Sequence, residues 1–204
     1  MEQNKQKNRG RQTLILLVAV FSLPVVLAIL FYSVDGLKPE RTTNAGELIT
    51  PARPLVLEGF VDAQARPFSL QNIQHKWTLV YIGDSSCDSI CQEKIYLMRQ
   101  IRWSQGKEMQ RIQRLFIVTD KSGMTDTRAI IEKYPGMFVA TADKPVMDKF
   151  VAQFEINGIS ATTTPGRIFI IDPIGNLMMS YGADAPPKGI VSDLIKLLKF
   201  SRAG

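Results

Sequence analysis

Histidine and cysteine are both scarce in this 204-residue chain, which holds one of the first and two of the second. A single histidine, His75, excludes a mononuclear metal centre built from several imidazoles of one chain. Two cysteines are too few for a disulfide-stapled secreted scaffold. Cys87 and Cys91 lie four positions apart and read as a redox or soft-metal pair. The chain also lacks internal repeats, low-complexity runs and any zinc-finger or RNP pattern. Its net charge is +6, of which residues 1–12 supply +3 through Lys5, Lys7, Arg9 and Arg11 against Glu2. The remainder is only mildly basic, so no nucleic-acid partner is expected.

What is present begins with an apolar run. Thr13 to Tyr32 is 20 residues without a charge, about the length that crosses a ~30 Å hydrocarbon core at ~1.5 Å per residue. Pro24 interrupts the run, and a membrane helix tolerates such a kink. A cleaved signal peptide would have a shorter apolar region followed by a small-x-small site; Ala28-Ile29-Leu30 and then Phe31-Tyr32 fit that rule poorly. The run therefore reads as an uncleaved anchor in contact with lipid. Basic residues precede it, which keeps residues 1–12 cytoplasmic and exports the rest. In a bacterium that is a single pass through the inner membrane with the C-terminal domain in the periplasm.

Residues 33–54, with Gly36, Pro39, Gly46, Pro51 and Pro54 and no sustained period, read as a tether. Residues 55–204 then alternate strand and helix patterns. Leu55–Val61 and Phe68–Leu70 are expected strands, and Trp77–Ile82 is a continuous apolar run typical of a central buried strand. Cys91–Gln105 is an expected helix, with Ile95, Met98 and Ile101 on one face. Strands follow at Leu115–Thr119 and Met137–Thr141, with helices at Thr125–Tyr134 and Lys144–Phe154. Arg167–Ile171 and Leu177–Tyr181 flank the turn Asp172-Pro173-Ile174-Gly175 and should form an antiparallel hairpin. Pro187–Phe200 is the closing helix, with proline in its first turn. The expected fold is an α/β sandwich around a mixed sheet, and the cysteines fall where the central strand hands over to a helix. Open α/β sheets place their chemistry at that carboxyl edge.

In GDSSCDSIC, residues 83–91, a spacing of four is expected to put both sulfurs on one face of the helix start. That permits a disulfide or a shared soft metal ion. The helix dipole favours a thiolate at Cys87, and Asp88 opposes it. Cys87 is thus the expected attacking sulfur and Cys91 the resolving one. A disulfide closing so short a loop removes little chain entropy, so a purely stabilising role is the weaker account.

Other residues invite bland readings. His75 precedes the central strand and should sit at the opposite end of the sheet from the cysteines. Met98, Met124, Met147, Met178 and Met179 could offer thioethers to Cu(I), although methionine more often fills core gaps. Lys94, Arg99, Arg102, Lys107, Arg111 and Arg114 read as a solvated face, or as a docking surface for an acidic partner or lipid headgroups. Pro165 is a candidate cis-proline beside the cysteines.

The anchor, the tether, the strand YIG-x-x-x-C-x-x-x-C entering a helix, and the late IIDPIGN hairpin together resemble the Sco/SenC branch of thioredoxin-like proteins. CDSICQEKIYLMRQIRWSQGK, residues 87–107, is similar to small membrane proteins found with cytochrome c oxidase assembly genes. The resemblance implies a thioredoxin-like fold and a membrane-bound accessory factor for oxidase biogenesis. Its partners would be oxidase subunit II or its assembly factors. Its work would be thiol–disulfide exchange, as an oxidoreductase enzyme, or Cu(I) handling, with Cys87 and Cys91 both as the redox pair and as the copper ligands. Sco proteins carry a histidine at a position that falls near Thr164 here, and a proline after the second cysteine where this chain has Gln92. The carry-over is limited to the two cysteines. A general thiol–disulfide oxidoreductase and a non-catalytic assembly scaffold are the alternatives.

Overall fold

The computed structural model describes residues 2–33, 44–123 and 127–201. Met124, the expected start of a helix at Thr125, and residues 34–43 of the expected tether lie outside the described residues. The chain divides into two compact units, Met1–Thr42 and Thr43–Gly204.

The first unit is one helix, α1, Glu2–Ser33, with Pro24 inside it. It begins well before the apolar run, because the Glu, Gln, Lys and Arg that precede Thr13 are themselves good helix formers. Its described apolar side chains, Leu14 through Leu30, stand exposed on every side. Among the described residues no helix is long and apolar enough to cross a membrane.

The second unit is a thioredoxin-like mixed α/β domain. Its strands are β1 Glu47–Pro54, β2 Phe60–Asp62, β3 Pro67–Phe68, β4 Trp77–Gly83, β5 Ile112–Val118, β6 Met137–Ala142, β7 Ile168–Ile171 and β8 Asn176–Tyr181. They form one sheet in the order β1-β8-β7-β4-β5-β6-β2-β3. The central strands β4, β5 and β6 are parallel, and β7 joins β4 antiparallel. The helices are α2 Ser89–Ser104, α3 Arg128–Lys133, α4 Lys144–Ala152 and α5 Pro187–Phe200.

Strand alternation sorts the core onto the two faces of the sheet. Trp77, Leu79 and Tyr81 of β4 join Ile95, Met98 and Ile101 of α2 and Ile190, Leu194 and Leu198 of α5. Val80 and Ile82 point the other way, toward Phe60, Phe150, Phe154 and Phe169, whose rings meet edge-on or tilted at about 5 Å. The hairpin β7–β8 forms as expected, with a register shift between Ile170 and Ile171. Its turn is closed by the Asp172 carboxylate, which accepts from the Ile174 and Asn176 amides at 3.0 and 2.8 Å, and by Gly175 at φ +98°.

Three expectations need correction. Glu47–Pro54, read as tether, is an edge strand paired antiparallel with β8. Its prolines are compatible with that place because an edge strand need not donate on both sides. The expected strand Leu55–Val61 shortens to Phe60–Asp62; Leu55 and Leu57 are buried, but Gly59 at φ +75° breaks the extended run. The segment expected at Phe68–Leu70 pairs only through Pro67–Phe68, and Leu70 opens a 3₁₀ turn.

Candidate redox site

Parallel pairing brings the ends of β4 and β5 together, Gly83 opposite Val118. Two residues further along, Ser85 meets Asp120. The Ser85 amide and hydroxyl donate to the two carboxylate oxygens at 2.6 and 2.5 Å. Ser86 donates its amide and hydroxyl to Asp84 at 3.0 and 2.5 Å. The loop leaving β4 is thereby pinned before it reaches the cysteines.

Cys87 and Cys91 form a disulfide with Cα atoms 5.0 Å apart. The expectation that both sulfurs share a helical face is corrected. Helix α2 starts at Ser89 with Asp88 as its N-cap, so Cys87 precedes the helix. Its backbone sits at φ +38°, a left-handed conformation that non-glycine residues rarely adopt, and this turn carries its sulfur back to Cys91. The Gln92 side-chain amide donates to the Cys87 carbonyl at 3.1 Å. A proline at position 92 could not make that bond.

Asp88 caps the helix by accepting from the Cys91 amide at 2.9 Å. A carboxylate therefore already answers one of the free N–H groups that would otherwise favour a thiolate. Exposure does not single out Cys87 either, since Cys87 is 1% and Cys91 3% exposed. Cys91 is the cysteine that faces space: it lines a cavity of about 160 Å³ with Tyr81, Asp84, Asp88, Thr162 and Pro165. Two carboxylates and no cation border this cavity, so charge developing on sulfur is opposed. Burial, then Asp88 and Asp84, push the Tyr81 phenol up to about 12, against a hydrogen bond from the Gly166 amide.

Pro165 is at the cavity wall, but its peptide bond is trans; among the described residues the cis peptide is Thr50–Pro51. The close approach at this wall is made by Gly166, at φ +86°. A Cβ there would lie 3.1–3.2 Å from Ala183, Ile90 and Lys94.

His75 is exposed at the start of β4, with the seven residues of that strand between it and the cysteine loop. At ~3.3 Å per residue that is roughly 20 Å, too far for a shared metal. Met98, Met147 and Met179 are buried, Met178 is half-buried, and none lines the cavity. Among the described residues no group of three or more His, Cys, Asp or Glu side chains could hold a metal ion. The reduced cysteines alone would supply two soft thiolates.

The basic stretch after the site is engaged within the domain at four of its six residues, while Lys107 is exposed. Lys94 is buried and donates to the Ala183 carbonyl at 2.7 Å. Arg102 donates to the Ile112 carbonyl at 2.7 Å, Arg111 to those of Leu198 and Ser201 at 3.0 and 2.8 Å, and Arg114 to that of Pro135 at 2.8 Å. Arg99 lies 4.1 Å over the Trp103 ring.

Two residues escaped the sequence reading. Asp120 was legible only through the β4–β5 register. Asp193 is 1% exposed and accepts from the Ala45 and Gly46 amides at 2.8 and 3.1 Å and from the Tyr181 hydroxyl at 3.3 Å. Its signal was an acid on the apolar face of α5, between Ile190 and Leu197.

A family model for the "transmembrane-like, thioredoxin-like, C-terminal domain" matches residues 77–201, more than half of the chain. A comparison with curated protein sequences finds no match. Among solved structures the chain is similar to yeast Sco1 with copper bound, at 17% identity and TM-score 0.60, covering 75% of this chain and 96% of that one. Bradyrhizobium japonicum ScoI with copper bound matches at 15% identity and TM-score 0.55, covering 71% and 98%. The thioredoxin domain of a thiol-disulfide oxidoreductase from Bacteroides vulgatus matches at 17% identity and TM-score 0.55, covering 74% and 99%. The resemblance to Sco/SenC proteins is thus borne out, at the level of the fold.

Proposed function

The chain belongs to the family of transmembrane-like, thioredoxin-like C-terminal domains, and on that premise we propose that it is a membrane-anchored thiol–disulfide exchange factor serving cytochrome c oxidase biogenesis. The observation that carries the chemistry is the Cys87–Cys91 disulfide at the carboxyl end of the central strand, with Cys91 lining a cavity.

In the reduced pair, a thiolate attacks a client disulfide sulfur and a mixed disulfide forms while the client's other sulfur leaves as thiolate. The second cysteine then attacks, closing Cys87–Cys91 and releasing a client dithiol. The client gains two electrons and two protons, and a dithiol donor upstream must return the pair to its reduced form. Copper-ligating cysteines must be thiolates before metal can enter, and an oxidising compartment works against that.

The anchor reading rests on helix α1. Its described apolar stretch, Leu14–Leu30, is apolar all round, with Leu16 and Phe21 at 66% and 72% exposed. With Thr13, Phe31 and Tyr32 the uncharged run reaches 20 residues, within the ~17–25 that span a bilayer. The bacterial inner membrane, with the domain periplasmic, follows from the basic residues before the run.

A second reading is favoured by the copper-bound states of the yeast and Bradyrhizobium neighbours. Here Cu(I) is cargo. Two thiolates suit this soft ion in near-linear geometry, whereas Cu(II) would look for nitrogen donors that this site lacks.

Deletion should lower cytochrome c oxidase activity most under copper limitation while bulk disulfide formation stays normal, and a Cys87→Ser/Cys91→Ser variant should match the deletion. Full oxidase activity in that variant would favour a scaffold without thiol chemistry. A deletion that spares the oxidase and disturbs many exported disulfides would favour a general oxidoreductase.

A further inference from the structure

An open groove adjoins the disulfide cavity without containing a cysteine. It has a volume of about 670 Å³ and shares Thr119 and Thr162 with the cavity that Cys91 lines. Its floor is apolar: Ala142 and Met147 are buried there, beside Val151 and Ala152. Its rim carries Asp120, Asp143, Asp148 and Glu155 against Lys121 and Lys144, two more carboxylates than ammonium groups. That sign is unexpected in a chain whose net charge is +6.

The rim acids differ in how they are held. Asp120 is committed to Ser85. Asp143 and Asp148 pair with Lys121 and Lys144 at 2.9 and 3.0 Å, but all four side chains are 49–85% exposed, and such surface pairs are worth little. A competing cation can take either acid. The Glu155 backbone carbonyl accepts from Arg53 at 3.0 Å, while its exposed carboxylate has no partner among the described residues.

We propose that this groove receives the flank of an extended client peptide whose cysteine enters the neighbouring cavity, and that it selects lysine or arginine beside that cysteine. The proposal rests on the exchange reading above and names the chemistry of the client. The apolar floor takes one side chain of the peptide, and the rim attracts its positive charge. Opposite charge across the groove acts mainly on encounter and selection, so the preference must weaken as salt rises.

The test separates binding from exchange. Full-length protein in detergent is titrated with fluorescein-labelled peptides of sequence Lys-Ala-Ser-Ala-Lys and Glu-Ala-Ser-Ala-Glu, serine standing for cysteine, and anisotropy is read. The basic peptide should bind about tenfold more tightly at 50 mM salt, with the ratio approaching one at 1 M. In an Asp148→Lys/Glu155→Lys variant, whose changes are on exposed positions, the preference should vanish or reverse. Equal binding of the two peptides, or a preference that survives the double variant, would overturn the groove assignment. Peptides with cysteine restored then report exchange with the oxidised protein, with 2-mercaptoethanol as the uncharged reference. Charge-selective binding without any exchange, even by 2-mercaptoethanol, would uphold the groove and reject the redox reading. Exchange without charge selection would do the opposite.

Discussion

The two ends of strand β4 carry charge of opposite sign and use it differently. At the amino end, Arg102, Arg111 and Arg114 give their guanidinium groups to backbone carbonyls of Ile112, Leu198, Ser201 and Pro135. These carbonyls lie at or just beyond the ends of strands and helices. The cations there hold elements together. At the carboxyl end carboxylates outnumber the ammonium groups of Lys121 and Lys144. Asp120 clamps Ser85, Asp88 caps α2, and Asp84 and Asp88 also border the cavity of Cys91. A sequence full of arginine suggests a docking surface, yet the open chemistry lies at the other end, among acids.

The largest effect that would break this contrast is at the cysteines. Cys91→Ser or Cys87→Ser should abolish disulfide exchange, by at least about 100-fold, and should also abolish Cu(I) retention. Stopped-flow exchange and copper stoichiometry check both. Retention of tight copper by either variant would mean another donor reaches the site.

Next in size is the alkaline behaviour of the cavity wall. Burial with Asp88 and Asp84 nearby raises Tyr81 to about 12. The folded chain therefore keeps a proton that the unfolded chain releases above about pH 10. The stability this contributes is fully present below pH 10 and is lost as the pH climbs toward 12. Tyr81→Phe should flatten that loss by about 2–3 kcal/mol in denaturant titrations across pH 9–12. An unchanged pH profile would place the phenol in contact with solvent.

At the amino end, burial, then Arg102 and Arg99, lower Arg114 to about 10. Among the described residues no carboxylate pairs with it, and two of its nitrogens lack a hydrogen-bond partner. Arg114→Met should therefore be neutral or stabilise the domain by about 1–3 kcal/mol. A large destabilisation would show that the bond to Pro135 outweighs the desolvation of the charge. The smallest effect belongs to His75→Ala, which should change stability by less than about 0.5 kcal/mol and leave exchange and Cu(I) retention as they were.

The central fold was legible because its signals are local and strong. Trp77–Ile82 is apolar without a break, α2 and α5 carry clean helical faces, and Asp172–Gly175 spells a turn. β1 was not legible. Glu47–Pro54 has two prolines and exposed side chains, and only its pairing with β8 makes it a strand. The basic stretch misled for a related reason, since spacing along α2 does not reveal which carbonyls wait nearby in space. At the site, the position of the cysteines could be read, but not the left-handed turn at Cys87 or the capping by Asp88. Those depend on where the loop lands after Asp120 fixes Ser85, and that contact spans 35 residues.

The central claim is that Cys87 and Cys91 form a working disulfide in the native full-length protein. Its most direct test is thiol trapping across a glutathione redox titration under native conditions, with mass spectrometry to locate the label. The account predicts one reversible two-electron transition, with both cysteines alkylated below the midpoint and neither above it. Cysteines that stay unlabelled at every potential until the chain is denatured would contradict it and leave the pair as a structural staple.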